Sequence, residues 1–141
     1  MKTTTRPWVA HRLPVIIYAI LIFIQSSLPA SEVVPDALNN DKVLHLLGYA
    51  LMGALCMRAW LTGPFKHTGM VIMLSIVTTL LYGASDEFHQ SFVPYRHADL
   101  LDVMADGVGG LIGTMLYAMG VSLIERRQSR EKKSPETPEK A

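Results

Sequence analysis

The sequence predicts an all-α protein, an integral membrane bundle of four transmembrane helices. Half of the 141 residues are hydrophobic and only 18% are charged, with a mean hydropathy of +0.26, which is typical of a membrane protein. In addition, four apolar stretches, separated by polar segments, have lengths near the ~20 residues that a helix needs to cross a bilayer.

The predicted spans cover residues 13–28, 43–61, 69–85 and 103–124. The first and third are short, but each can gain a turn from its flanks, residues 8–12 and 86–90. Basic residues also precede the first span, as they do in a secretory signal. Because no two small residues after this span have the spacing of a cleavage site, we expect it to be retained as a helix.

The distribution of charge predicts a multi-pass protein of the cytoplasmic (inner) membrane with both termini cytoplasmic. With the amino terminus inside, 11 of the 13 Lys and Arg residues lie on inner segments, and only Lys42 and Arg96 lie outside. We expect one four-helix transmembrane domain over residues 1–124. Residues 125–141 are charged and have no apolar periodicity, so we expect them to form a disordered cytoplasmic tail.

Composition excludes several classes of function. A formal net charge of +1 leaves no overall basic surface for binding nucleic acid, so we expect no nucleic-acid partner. The expected main partner is the lipid bilayer. The single cysteine, Cys56, excludes an internal disulfide and any site built from several thiolates. We expect no cofactor.

Two similar segments indicate an internal repeat. QSSLP at residues 25–29 closes the first span, and QSFVP at residues 90–94 follows the third. Pairing Asp41 with Asp102 in the spans that follow places His45 opposite Asp106. These matches favour two repeated helical hairpins with a shared site between them. The alternative is that Ser and Pro simply mark helix ends.

Polar residues concentrate at the outer ends of three spans, and ionisable residues at membrane depth are candidates for function. At helical spacing they form one stripe on each span. The stripes on the second, third and fourth spans are, respectively, Asp41, His45 and Tyr49, with Lys42 beside them; Gly83, Glu87 and Gln90; and Asp99, Asp102, Asp106, Gly109 or Gly110, and Gly113. The small residues of the last stripe would let another helix approach closely.

Structural roles compete with functional ones at these positions. Hydrogen-bonded packing between helices would explain His45 and Tyr49 as well as catalysis would. An aspartate just before an apolar helix is typical of an N-cap, which applies to Asp41 and to Asp99 or Asp102.

Arg96 is expected to act as a clamp that joins Glu87 to one of the aspartates, rather than as a substrate-binding residue. We expect His89 and His97 to lie in loops. A metal site is conceivable, but the sequence has no HExxH or similar spacing, so we expect none. The residues that it would use are His45, Glu87, His89, His97 and Asp102.

Two segments resemble the signature blocks of the VanZ-like membrane proteins: DKVLHLLGYALMGAL at 41–55 and DEFHQSFVPYRHADLLDVMADGVGGLIG at 86–113. The positions that match the family pattern are Ser27, Pro29, Asp41, Lys42, His45, Tyr49, Glu87, Gln90, Pro94, Arg96, Asp102, Gly110 and Gly113. The sequence departs from it at Tyr95, where the family often has glycine, and at Asp106, where it often has asparagine.

The resemblance implies an integral membrane protein of the type linked to low-level resistance to the glycopeptide teicoplanin. The leading hypothesis is an outer polar pocket that recognises an envelope lipid, another envelope component or a glycopeptide. Its expected binding residues are Asp41, Lys42, His45, Tyr49, Glu87, Gln90, Arg96, Asp102 and Asp106.

Two alternatives stay open. The first is an intramembrane enzyme acting on a lipid-linked or phosphate-bearing substrate, with His45, Glu87 and Asp102 as candidate catalytic residues. In that enzyme Arg96 and Lys42 would hold the anionic group. The second is an assembly partner in a membrane complex, or a homo-oligomer, that packs through its glycine faces.

Overall fold

The computed structural model describes residues 7–28, 41–65 and 67–133, and these ranges contain four helices and no strand. The helices are α1 (Pro7–Ser26), α2 (Asp41–Trp60), α3 (Thr68–Gln90) and α4 (Leu100–Lys133). Each is long and apolar enough to cross a membrane. The predicted all-α bundle of four transmembrane helices is therefore confirmed.

Both short spans gain the extra turn that the sequence allowed, since α1 begins at Pro7 and α3 continues to Gln90. α3 includes the extra turn at residues 86–90, which brings the acidic residues there onto a helix. α4 does not end at residue 124 but continues to Lys133, so the predicted disorder is wrong for residues 125–133. The reason is that Glu, Arg and Lys favour helix, and Arg127 pairs with Glu131 at 3.1 Å, one turn away. Residues 134–141 lie outside the described residues.

The closest packing is between α2 and α4, where small residues bring the two backbones into contact. A Cβ atom on Gly113 would overlap the carbonyl oxygen of Ala50, and one on Gly53 would overlap that of Gly110. Thr114 Oγ1 also donates a hydrogen bond across this interface to the Gly53 carbonyl at 3.2 Å. Close backbone contact of this kind is how helices associate in lipid, where apolar burial supplies little net attraction.

The first helix packs on the outside of this pair and against α3. Tyr18 donates a hydrogen bond to the Gly48 carbonyl at 3.0 Å, and Tyr82 of α3 donates one to the Ala19 carbonyl. The buried core beside α1 contains Tyr49, Met52 and Cys56. Large apolar side chains on the outer faces of all four helices are exposed, as expected for surfaces that contact lipid.

The connection between α3 and α4 contains the one non-glycine residue with positive φ among the described residues, Tyr95, at φ 63°. This left-handed conformation costs a side chain about 1–2 kcal/mol relative to glycine. Glycine would adopt the same conformation without this cost. The turn brings the chain from α3 back to the start of α4.

Candidate functional site

The polar side chains gather at one end of the bundle, where α2 and α4 begin and α3 ends; we call this the polar end. Six of them are buried: His45, Asp86, Glu87, Gln90, Asp102 and Asp106. The side chain of Asp41 lies outside the described part of the structure, so its predicted roles as an N-cap and a binding residue stay predictions.

His45 is at the centre of the buried group. Its Nδ1 lies 2.9 Å from Asp106 Oδ1, and its Nε2 lies 3.9 Å from Glu87 Oε1. The three residues come from α2, α4 and α3, so the contact joins three helices. The repeat hypothesis paired His45 with Asp106, and the two are hydrogen-bonded here, but close packing alone would also bring them together.

Lys42 lies at the solvent-exposed edge of the buried group, where it pairs with two aspartates. Its Nζ donates hydrogen bonds to Asp99 Oδ2 at 2.8 Å and to Asp102 Oδ1 at 3.1 Å. The hydrogen bond from Lys42 lowers the pKa of the Asp99 carboxyl below its ordinary value, and a second one from the backbone N–H of Leu101 adds to this. The ammonium group of Lys42 is thus already committed to two carboxylates.

Asp99 is the N-cap of α4, one of the two assignments that the sequence left open. Its Oδ1 accepts a hydrogen bond from the Leu101 backbone N–H at 2.8 Å. Its own backbone N–H donates to Glu87 Oε2 at 3.0 Å. Asp102 instead lies inside α4 as a partner of Lys42.

Asp86 is a buried member of the site that sequence reasoning missed. Its Oδ2 accepts hydrogen bonds from the Tyr49 hydroxyl and from Gln90 Nε2, both at 3.2 Å. The i, i+4 spacing of Asp86 and Gln90 was a signal that could have identified it. Tyr49 of α2 therefore forms a hydrogen-bonded contact with Asp86 of α3, and its ring lies parallel to that of His45 at 6.2 Å.

The predicted role of Arg96 as a clamp between Glu87 and an aspartate is wrong. Arg96 Nε donates to the Leu28 carbonyl at 3.3 Å, and Nη1 donates to Gln90 Oε1 at 3.4 Å. Arg96 therefore ties the end of α1 to α3. The reason for the difference is that the turn after α3 directs the guanidinium toward α1, a direction that spacing along the chain does not specify.

The two histidines expected in loops differ in their positions. His97 lies in the loop before α4, as predicted. His89 lies in the last turn of α3, where its Nε2 is 3.0 Å from Ser27 Oγ and its ring stacks on Phe23. The prediction was wrong for His89 because α3 extends to Gln90.

A cavity of about 340 Å³ lies between α1, α2 and α3 and reaches the polar end. Its walls are mainly apolar, and two of its lining residues are buried members of the site. The lining residues used below are Tyr18, Leu21, Ile22, Leu44, His45 and Asp86. A space with apolar walls and a polar end has the form of a site for an amphiphile.

Negative charge predominates at the polar end. Three buried carboxylate oxygens have no hydrogen-bond partner among the described residues: Asp86 Oδ1, Glu87 Oε1 and Asp106 Oδ2. Such atoms are costly to bury without a partner. Because Lys42 and Arg96 are both engaged by other groups, the site favours a cationic group over a phosphate held by these two side chains.

The comparisons with known proteins identify a family for most of the chain. The model of the family described as VanZ/LLP1 matches residues 9–123, which include all of the polar end. No curated protein and no solved structure gives a significant match to the chain.

Proposed function

Because the chain belongs to the VanZ/LLP1 family, we propose that it is a cell-envelope membrane protein whose polar end recognises an amphiphilic envelope component. We link this recognition to glycopeptide (teicoplanin) resistance. The observation that carries the proposal is the cavity of about 340 Å³ that ends at His45 and Asp86.

The lining of the cavity supports an amphiphile as the ligand. Leu21 and Ile22 of α1 and Leu44 of α2 offer an apolar wall along which a hydrocarbon chain would lie. The polar head would then meet His45 and Asp86. A cationic or hydrogen-bond-donating head suits the unpartnered Asp86 Oδ1.

The charge bias of the sequence supports an outward-facing polar end in the cytoplasmic membrane. The basic residues near the opposite ends of α2 and α4, such as Arg58 and Arg127, favour the cytoplasmic side. The cavity would then be reached from the outer leaflet, where envelope precursors and antibiotics are found.

The proposal is tested by teicoplanin susceptibility in a sensitive host, with vancomycin as the comparison drug. The host expresses the wild type, Glu87→Gln, Arg96→Ala or the control Gln128→Ala, an exposed position on α4, at matched membrane levels. We expect protection by the wild type and the control, and its loss in the other two. A wild type that gives no protection would contradict the link to resistance.

The cavity itself is tested by filling it. Ile22→Trp places a larger side chain in the cavity, whereas Ile20→Trp places one on the exposed face of the same helix. We expect Ile22→Trp to abolish the protection and Ile20→Trp to retain it. Equal protection by both variants would argue against the cavity as the binding site.

A second candidate function is an intramembrane enzyme that acts on a lipid-linked substrate. It is favoured by the hydrogen bond that orients His45 through Asp106, an arrangement that enzymes use to hold a general base. His45 also lines the cavity, where it would reach a substrate. Full activity of Glu87→Gln and of His45→Gln on such a substrate would argue against catalysis.

A further inference from the structure

We propose that His45, Glu87 and Asp106 bind one divalent transition-metal ion, Zn²⁺ by preference, where α2, α3 and α4 meet. The geometry points to this site because one donor atom from each residue lies within 4.8 Å of the others. This proposal is independent of the proposed amphiphile, because all three metal ligands are side chains of the protein.

The spacing of the donors suits a shared ion. Zn²⁺ binds histidine nitrogen and carboxylate oxygen at about 2.0–2.2 Å, so two donors of one ion lie about 3–4 Å apart. His45 Nε2 and Glu87 Oε1 are 3.9 Å apart, and His45 Nδ1 and Asp106 Oδ1 are 2.9 Å apart. These two distances involve the two different nitrogens of the ring, and one ion binds only one of them. A set with one donor atom from each residue lies within 4.8 Å, so the His45 or Asp106 side chain must rotate to bring one nitrogen and two oxygens onto the ion.

The unpartnered carboxylate oxygens are an independent sign of a ligand. Glu87 is 3% exposed and Asp106 is 0% exposed, and each has one oxygen without a hydrogen-bond partner in the described ranges. The unpartnered oxygen of Glu87 faces the His45 ring, while its other oxygen is held by the Asp99 backbone N–H. A bound cation would satisfy the atom that the protein leaves unsatisfied.

Charge at membrane depth favours the same conclusion. Lys42 is paired with Asp99 and Asp102, and neither Glu87 nor Asp106 contacts a lysine or arginine within the described ranges. Two buried carboxylates are costly in a bilayer unless a cation offsets them. A divalent ion offsets both charges at once.

The donor set indicates which ion is preferred. Zn²⁺ accepts both histidine nitrogen and carboxylate oxygen, and its catalytic sites combine three protein ligands with one open position. The imidazole nitrogen favours Zn²⁺ and its neighbours in the transition series over Mg²⁺ and Ca²⁺, which prefer an all-oxygen set. The open position would face the cavity that His45 lines.

The experiment measures Zn²⁺ binding to the full chain in detergent micelles, after removal of metal with EDTA and without any amphiphile. The variants are His45→Gln, Glu87→Gln and Asp106→Asn. The matched control is His89→Gln, which removes a histidine at the same end that bonds to Ser27 instead. Helicity and a single elution peak verify that each variant is folded.

One Zn²⁺ per wild-type chain, with affinity at least about tenfold lower in the three variants and unchanged in the control, supports the site. A wild type that binds no stoichiometric ion overturns the proposal, as does equal binding by variants and control. If the variants do not fold, the site is tested in the wild type alone, by the visible absorption of bound Co²⁺. Visible absorption bands that Zn²⁺ abolishes at one equivalent support the site, and their absence overturns it. Neither measurement involves drug protection. The metal site and the recognition of an amphiphile can therefore be refuted independently of each other.

Discussion

Single residues at the polar end hold one another in place through short chains of contacts. Asp99 shows this most clearly, because it caps α4 with Oδ1, accepts from Lys42 with Oδ2 and donates its backbone N–H to Glu87. Asp86 is held in the same way by Tyr49 and Gln90. These contacts fix the positions of buried carboxylates whose remaining oxygens have no partner in the described ranges.

Tyr49→Phe tests whether the hydrogen bond from the Tyr49 hydroxyl to Asp86 stabilises the protein. The change removes one of the two donors to Asp86 Oδ2 and leaves a buried carboxylate with fewer partners, so we expect a loss of about 1–3 kcal/mol in the free energy of unfolding. Denaturant titration in micelles measures it. Tyr117→Phe, a tyrosine of α4 without a described hydrogen bond, should change stability by no more than about 0.5 kcal/mol. Equal effects would show that the Tyr49 hydroxyl does not stabilise the site.

Tyr95→Gly tests the cost of the left-handed turn. Since Tyr95 has φ 63° and an exposed side chain, we expect glycine to raise the free energy of unfolding by up to about 1 kcal/mol. His97→Gly, in the same loop and without positive φ, should give no gain. A gain in both variants, measured by thermal unfolding, would mean that the backbone conformation at Tyr95 is not the cause.

Glycines at the contact between α2 and α4 let the two backbones lie close enough for their polar side chains to meet. Gly109 and Gly113 of α4 lie against the backbone of α2, and Gly83 of α3 lies against the Asp106 side chain. The hydrogen bond between His45 and Asp106 joins the same two helices that the glycines bring together. The small-residue stripe predicted from the sequence is thus the means by which α2 and α4 approach each other.

Gly113→Ala tests this close packing. A methyl group there would overlap the Ala50 carbonyl, so the helices must separate, and we expect a loss of about 1–3 kcal/mol in the free energy of unfolding. Gly120→Ala is the matched control on the same helix, because no atom lies within 4 Å of its added methyl group. The control should be neutral or slightly stabilising, as alanine favours helix. Similar losses in both variants would contradict the packing argument.

Across the whole molecule, the four helices differ in how they contribute to the polar end. α2, α3 and α4 supply the buried acidic groups and His45, whereas α1 supplies one wall of the cavity and is tied to α3 by Arg96. The exposed outer faces are apolar, and the charged end of α4 extends past them to Lys133. Charge is thus concentrated at the two ends of the bundle.

Cysteine labelling tests the proposed orientation. A membrane-impermeant maleimide added to intact cells should label Phe92→Cys, an exposed position beside the polar end. It should label Ser129→Cys, near the end of α4, only after the membrane is opened. Cys56 is buried and should react in neither case while the protein is folded. The reverse pattern would place the polar end in the cytoplasm and contradict the proposed access to the cavity.

The four helices and the polar ends of three of them follow from the sequence, because apolar length and helical spacing are local properties of the chain. The stripe of His45 and Tyr49 and the glycines of α4 were predicted on this basis, and the structure brings them together with Glu87 and Asp106. Partner choice is not local. Arg96 contacts Leu28 rather than an acidic residue, and Tyr49 contacts Asp86, a partner on another helix that the sequence did not identify. The crossing of helices and the turn at Tyr95 set which side chains meet. The helix from residue 125 to Lys133 could have been predicted from its helix-favouring residues, whereas the cavity beside α1 required the packing of three helices.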